Sequence, residues 1–153
     1  MAVYVVRHAK AGDRDEWEGD DRLRPLTKSG RRQADALVDV LRHEPIDRIL
    51  SSPYVRCVET VEPLAVARHL KVESTEDLAE GAGGDRIIRL MNSNRGKDVV
   101  LCTHGDLVEE LLDQLIDQGV VSRRNAANQK GGTWMLESDD RRITSARYLA
   151  APG

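Results

Sequence analysis

"VYVVRHAKAG", residues 3–12, decides how this chain is read. Four β-favouring residues run directly into Arg7 and His8, with Lys10 two positions on. A buried strand that ends in cationic groups needs an anion beside them, because desolvating unpaired charge is costly. "VVLCTHGD", residues 99–106, has the same grammar: an apolar run that closes on His104 and hands over to a helical pattern. A third run, "RILSS", residues 48–52, passes through Pro53 into "YVRCVETVEPLAVARHL". Here Ser52 reads as an N-cap, Pro53 as the first helical residue and Arg56 as a first-turn residue. In an open parallel sheet the ligand crevice lies beyond the C-terminal ends of the strands, so residues distant in sequence meet there. The expected constellation is therefore Arg7, His8, Arg56 and His104.

Working outward, short β-branched runs alternate with helical periodicities, which predicts an α/β architecture with a mostly parallel sheet. Strands are expected over residues 3–6, 48–51, 71–73 and 99–103. Thr27 reads as the N-cap of an amphipathic helix whose stripe is Ala34, Leu37, Val38 and Leu41. Leu107, Val108, Leu111, Leu112, Leu115 and Ile116 form a second stripe, stopped by Gly119. "GGDRIIRLMN" predicts a shorter helix opened by Asp85 as N-cap. Pro63 is expected to kink or split its helix near Glu62. "GTWMLESDDRRITSARYL" predicts a C-terminal antiparallel hairpin with residues 138–140 in the turn.

Composition sets the outer bounds. The 153 residues suit a single domain, 1–153. With 23 basic and 26 acidic residues spread along the chain, no strong field for nucleic acid is expected. No apolar run approaches the roughly 18 residues of a membrane span, and no secretory leader pattern opens the chain, so a cytoplasmic protein without a membrane partner is expected. Cys57 and Cys102 lack CxxC spacing and read as buried thiols. Phe is absent, so the core must come from Leu, Val, Ile and Ala. Nothing in the sequence specifies an oligomeric state.

Two guanidinium groups and two imidazoles suit a phosphoryl group. Arginine presents a planar fork that matches phosphate oxygens, and a helix N-terminus beside it adds backbone donors. A neutral His8 could attack phosphorus to give a phosphohistidine that water later opens. Nearby arginines disfavour a second positive charge and so keep its lone pair free. His104 could stabilise charge on the equatorial oxygens, and the scheme needs no metal or cofactor. The leaving oxygen needs a proton. Glu80 in "DLAEGAGG" is the candidate donor, with Asp13, Glu16 and Glu18 also within reach of the rim.

"VVRHAKAG", "LTKSGRRQA", "ILSSPYVRCVETVEPLA", "DLAEG" and "LCTHGD" stand in the order and spacing of the histidine phosphatase superfamily, which this chain resembles from residue 3 to about 115. The resemblance implies a phosphoglycerate-mutase-like three-layer α/β/α sandwich. It also implies His8 as phosphoryl acceptor, Arg7, Arg56 and His104 as the phosphate pocket, and Glu80 at the place of the proton donor. The short length and the RHA form look like the SixA-type phosphohistidine phosphatases. "KAGDRDEWEGDDRLRPLTKSG" is also similar to the phosphatase domain of certain mycobacterial Nudix hydrolases. Glu59 stands where the family often has Gln. There is little room for the insertions that cover mutase sites, so a phosphatase is expected over a mutase.

The substrate stays open between a phosphohistidine protein, a nucleoside diphosphate and another small phosphate ester. A non-catalytic phosphate-binding signalling module is the alternative of another class. The loop over residues 13–22 reads either as a solvated segment or as the substrate rim. Within it, Trp17 could stack on a ligand or pin the loop. Lys10 could bind substrate phosphate or stand as an exposed loop lysine. His43 and His69 follow helical stretches and read as structural, meeting the negative end of a helix.

Overall fold

The structure is a computed structural model, and it describes residues 1–139 and 142–152. Its strands are β1 (Ala2–Arg7), β2 (Arg48–Ser51), β3 (Val72–Ser74), β4 (Val99–Thr103), β5 (Thr133–Ser138) and β6 (Ile143–Leu149). The helices are α1 (Lys28–Val40), α2 (Val55–Arg68), α3 (Asp85–Ser93) and α4 (Gly105–Asp117). All six strands join one sheet in the order β3-β2-β4-β1-β5-β6. The first four are mutually parallel, and β5 and β6 complete the sheet antiparallel.

Side-chain alternation along β1 explains the layering. Val3 and Val5 face one side and pack with Leu101, Leu107, Leu111, Leu115, Ile87 and Met91, which places α3 and α4 on that face. Tyr4 and Val6 face the other side, with Leu37, Leu41, Val61, Leu64, Ile49 and Val100, which places α1 and α2 there. Residues 2–6 of β1 and all of β4 are buried because both faces are covered, as parallel sheets require. The two cysteines are free and buried within the α1/α2 side.

Several local readings shift. β3 begins one residue later than expected, at Val72. Gly84, not Asp85, is the N-cap of α3, and Asp85 takes the first turn. The reason is close packing: a Cβ at Gly84 would lie 2.7 Å from the Cβ of Glu110, whose carboxylate accepts the Gly84 N–H. Ser52 does not cap α2 and Pro53 is not its first residue, because Ser52 is still tied to the sheet end by its N–H to the Cys102 carbonyl at 2.9 Å. The helix instead begins after Tyr54. Pro63 does not split α2, which runs unbroken to Arg68. Val61, Leu64 and Ala65 are buried on both sides of the proline, and that packing outweighs the roughly 3 kcal/mol a helical proline costs. His69 ends the helix in the left-handed conformation, φ 57°. The hairpin turn begins after Ser138, and Asp140 lies outside the described residues.

Thr27 caps α1 as expected, accepting the Gly30 N–H at 3.0 Å. Gly30 then lies against the loop that follows β1: a Cβ there would stand 2.0 Å from the Lys10 carbonyl oxygen. That neighbour is backbone, so it cannot swing aside. Gly30→Ala should therefore lower the urea unfolding midpoint, with a loss of about 1–3 kcal/mol typical of overpacking. A midpoint equal to that of the parent would show that the contact is relaxed elsewhere.

Candidate active site

The register of the two central strands places the site. β1 pairs with β4 so that Arg7 stands opposite Thr103, and the His8 N–H donates to the Thr103 carbonyl at 3.0 Å. His8 and His104 thus leave the sheet side by side, their ring centroids 5.5 Å apart and their planes at 68°. β2 lies on the other side of β4 and feeds α2, whose first turn carries Arg56 into the same place. Arg7, His8 and His104 line a cleft of about 700 Å³ at the C-terminal end of the parallel strands, together with Lys10, Glu80 and Lys130. Another cavity, of about 780 Å³, lies at the opposite end of the sheet against Met1, Met91, Gln114 and Ile143, and holds none of these groups.

The tautomer of His8 follows from its partner. Its Nδ1 lies 2.7 Å from the carbonyl of Ala9, which can only accept, so Nδ1 carries the proton and Nε2 keeps a lone pair. Ala9 is itself fixed, since its N–H donates to Thr60 Oγ1 at 2.9 Å and Thr60 donates to the Arg56 carbonyl at 2.7 Å. Burial pushes the His8 pKa down to about 3; the Ala9 hydrogen bond opposes this, and the charges of His104, Arg56 and Arg7 add to it. The arginines expected to keep this ring neutral are secondary to burial.

His104 is held from behind. Its Nε2 lies 2.8 Å from Ser52 Oγ and 3.5 Å from the sulfur of Cys57, and the Tyr54 ring packs edge-on at 4.5 Å. Ser52 Oγ accepts the Tyr54 N–H at 3.2 Å and keeps both a second lone pair and its own proton, so it can meet either tautomer of His104. His104 Nδ1 is buried without a partner. Two further buried nitrogens share that condition, Nε of Arg7 and Nε of Arg56.

Each guanidinium is anchored at its other end. Arg7 Nη1 donates to the Asn128 carbonyl at 2.6 Å, and Gly105 makes room for it, since a Cβ there would stand 2.7 Å from Arg7 Cζ. Arg56 is wholly buried and donates to the Asp21 carbonyl oxygen at 2.8 Å and carboxylate at 3.1 Å. Burial alone would raise the Asp21 carboxyl. The hydrogen bond from Arg24 and the charges of Arg56 and Arg24 outweigh it and hold the carboxyl below its ordinary value. Glu80 bridges two guanidinium groups, Arg14 at 3.0 Å and Arg56 at 3.5 Å.

Arg7, His8 and His104 meet at the cleft, with Glu80 and Lys10; Arg56 does not line it but lies buried behind it, its guanidinium 4.8 Å from the centre of the Tyr54 ring that packs on His104. Trp17 is not among the cleft residues; its indole N–H donates to the Asp20 carbonyl at 2.9 Å and ties the loop to itself. Asp13 lines the cleft but Glu16 and Glu18 do not. Glu59 accepts the Leu26 N–H at 3.0 Å and braces the segment before α1. Sequence reasoning missed Asp21, Ser52 as the support of His104, Tyr54, Thr60, Asn128 and Lys130. Only Ser52, Tyr54 and Thr60 carried a signal, through their place in the "SSPYVRCVET" run.

A profile of the histidine phosphatase superfamily (branch 1) matches residues 3–89. An 8-oxo-(d)GTP phosphatase of Mycolicibacterium smegmatis is 34% identical over 157 residues, covering 98% of this chain and 48% of that protein. The chain thus spans about half the length of this relative. A Haemophilus influenzae SixA phosphohistidine phosphatase homolog is 28% identical over 75% of this chain and 77% of its own. Among solved structures, the protein histidine phosphatase SixA complexed with tungstate superposes with a TM-score of 0.76 at 19% identity, over 98% of this chain and 95% of that one. The fold, the four converging side chains and the sequence match have one reading: the chain belongs to branch 1 of the histidine phosphatase superfamily.

Proposed function

We propose that this protein is a phosphatase that works through a covalent phosphohistidine at His8. The observation that carries the reading is the set of three buried, unpartnered nitrogens, Nε of Arg7, Nε of Arg56 and Nδ1 of His104, on the three groups whose charges act on the His8 ring; with Ser52 donating to His104 Nε2, all three are donors. Each unsatisfied buried donor costs about 1–3 kcal/mol, so three in one place mark the seat of an acceptor that is bound in use. A tetrahedral oxyanion with three free oxygens satisfies all of them. The tungstate complex of the SixA structure is in keeping with this.

In the first step His8 Nε2 attacks phosphorus, the N–P bond forms and the bond to the leaving group breaks. Arg7, Arg56 and His104 hold the equatorial oxygens, whose charge they are already placed to meet. Water then attacks the phosphohistidine from the open side, inorganic phosphate leaves and neutral His8 is restored. Glu80, at the cleft, is the candidate proton donor for the leaving group. Its pairing with Arg14 and Arg56 makes it a holder of Arg56 first. Both a phosphohistidine side chain and a nucleoside diphosphate present a terminal phosphoryl group that this base can take.

Protein quenched in denaturant during turnover of labelled p-nitrophenyl phosphate should carry acid-labile, base-stable label, and His8→Ala should carry none. Phosphate binding without turnover or label would instead make this a recognition module. Arg56→Ala, checked for folding by circular dichroism, should lose about 10²–10³-fold in kcat/KM, the scale of one oxyanion donor removed. EDTA should leave turnover intact. The pH behaviour has a defined sign. His8 titrates near 6.5 when unfolded and near 3 when folded, so the unfolded chain binds the extra proton between those values. Stability should be full above pH 6.5 and fall as pH drops from 6.5 toward 3. His8→Gln should flatten that fall in urea midpoints compared between pH 7 and pH 5.

A further inference from the structure

Two of the cations that line the cleft have no carboxylate partner among the described residues. Lys10 and Lys130 line it, and neither has a carboxylate within 4 Å among the described residues, whereas Arg14 and Arg24 are committed to Glu80 and Asp21. Both lysines sit on backbone that is held in place. The Lys10 N–H donates to Gln33 Oε1 at 3.0 Å, and its carbonyl accepts the Thr27 N–H at 2.9 Å. Lys130 precedes Gly131, whose N–H donates to the carbonyls of both Arg7 and His8 at 3.1 and 3.0 Å. The Gln33 amide that holds Lys10 also packs against Gly131, where a Cβ would meet it at 3.2 Å. One side chain of α1 thus spans the two loops that bear the lysines. Their charges share one field: burial, then Arg7, Arg24, Lys10 and Arg14, pull the Lys130 ammonium below its ordinary value. The cleft also holds four carboxylates: Glu80 pairs with Arg14, Asp106 accepts the Gly81 N–H, Asp13 accepts that of Asp15, and Asp106 and Glu109 both act on Arg7, so the lysines are the cations of the lining left for a ligand's charge.

Resting on the phosphatase reading above, we propose that the leaving group is itself a phosphate, held by Lys10 and Lys130, so that the substrate class is a diphosphate ester such as a nucleoside diphosphate. The chemistry of departure agrees with the electrostatics. An alkoxide leaving from a simple monoester needs a proton, and Glu80 is engaged with two guanidinium groups. A phosphate monoester has its second ionisation near pH 6, so it departs as the dianion with no proton supplied. His8 Nε2 bonds to the terminal phosphorus, the bridging P–O bond breaks, and its electron pair leaves on the bridging oxygen. Water then splits the N–P bond, giving inorganic phosphate and releasing one proton to solvent. A phosphohistidine side chain or a serine ester brings no second phosphate for the two ammonium groups to hold.

The test compares kcat/KM for ADP, GDP and inorganic pyrophosphate with that for phosphoserine, a phosphohistidine-bearing protein and p-nitrophenyl phosphate. Each diphosphate is expected to exceed phosphoserine and the phosphohistidine protein by about tenfold or more, the scale of one charge-assisted hydrogen bond. Lys10→Gln and Lys130→Gln should each depress the diphosphates about tenfold more than they depress p-nitrophenyl phosphate, with Lys130→Arg restoring the preference. Added salt should raise KM for diphosphates more than for the aryl ester. Equal rates on diphosphates and phosphoserine, a preference for the phosphohistidine protein, or equal losses on all substrates in the lysine variants, would overturn the assignment. If p-nitrophenyl phosphate is turned over through labelled His8 while diphosphates are not preferred, the phosphatase reading stands and this one falls. If no substrate labels His8, the reading beneath it falls too.

Discussion

The parallel pairing of β1 with β4 is the constraint on which everything else depends. Its register sets Arg7 beside Thr103, and one further residue on each strand puts two imidazoles 5.5 Å apart. A slip by a single position would turn Val3 and Val5 from the α3/α4 core toward the α1/α2 core and would carry His8 to the wrong face. Register is therefore enforced by the apolar faces of the strands, far from any charged atom. The chemistry inherits its geometry from a hydrophobic decision.

Concentrating positive charge at a buried strand end is expensive, and the surrounding structure shows how the cost is contained. Arg56, wholly buried, is met at one edge by Asp21 and by Glu80, while its Nε has no partner in the protein. Arg7 is met by a carbonyl, not a carboxylate, and its neighbour Gly105 gives up a side chain to admit it. Tyr54 lies under both Arg22 and Arg56, with guanidinium carbons 4.9 and 4.8 Å from its ring centre, and also supports His104. The base of the cleft is braced because each of these side chains has a partner of its own, Asp21 and Glu80 for Arg56, the Asn128 carbonyl for Arg7, and Ser52 and Tyr54 for His104.

Sequence patterns carried the architecture and the centre of the site, and the reasons they stopped are physical. The strands at 48–51 and 99–103 were legible to the residue because apolar runs bounded by polar punctuation are local signals. Arg7, His8, Arg56 and His104 were legible because each repeats one grammar, a strand that ends in a cation or an imidazole. Asp21 and Lys130 were not, since nothing local marks either residue and each acquires its role from a neighbour far away in the chain. Pro63 was misread for the opposite reason: its local effect is well defined, and burial of Val61, Leu64 and Ala65 overrides it. The capping residues Ser52 and Asp85 missed by one or two positions, where tertiary contacts to Cys102 and Glu110 took precedence over intrinsic cap preference.

The contact between the His8 ring and the carbonyl of the very next residue spans no other element of the molecule. A ring whose tautomer is set by its own stretch of chain is insulated from whatever happens to the loops above it. Those loops, from residue 10 to 24 and from 126 to 130, can then diverge among descendants without a compensating change at the attacking atom. Under the proposed mechanism, such modularity would let the cleft's rim change what it accepts while the bond-making centre stays as it was.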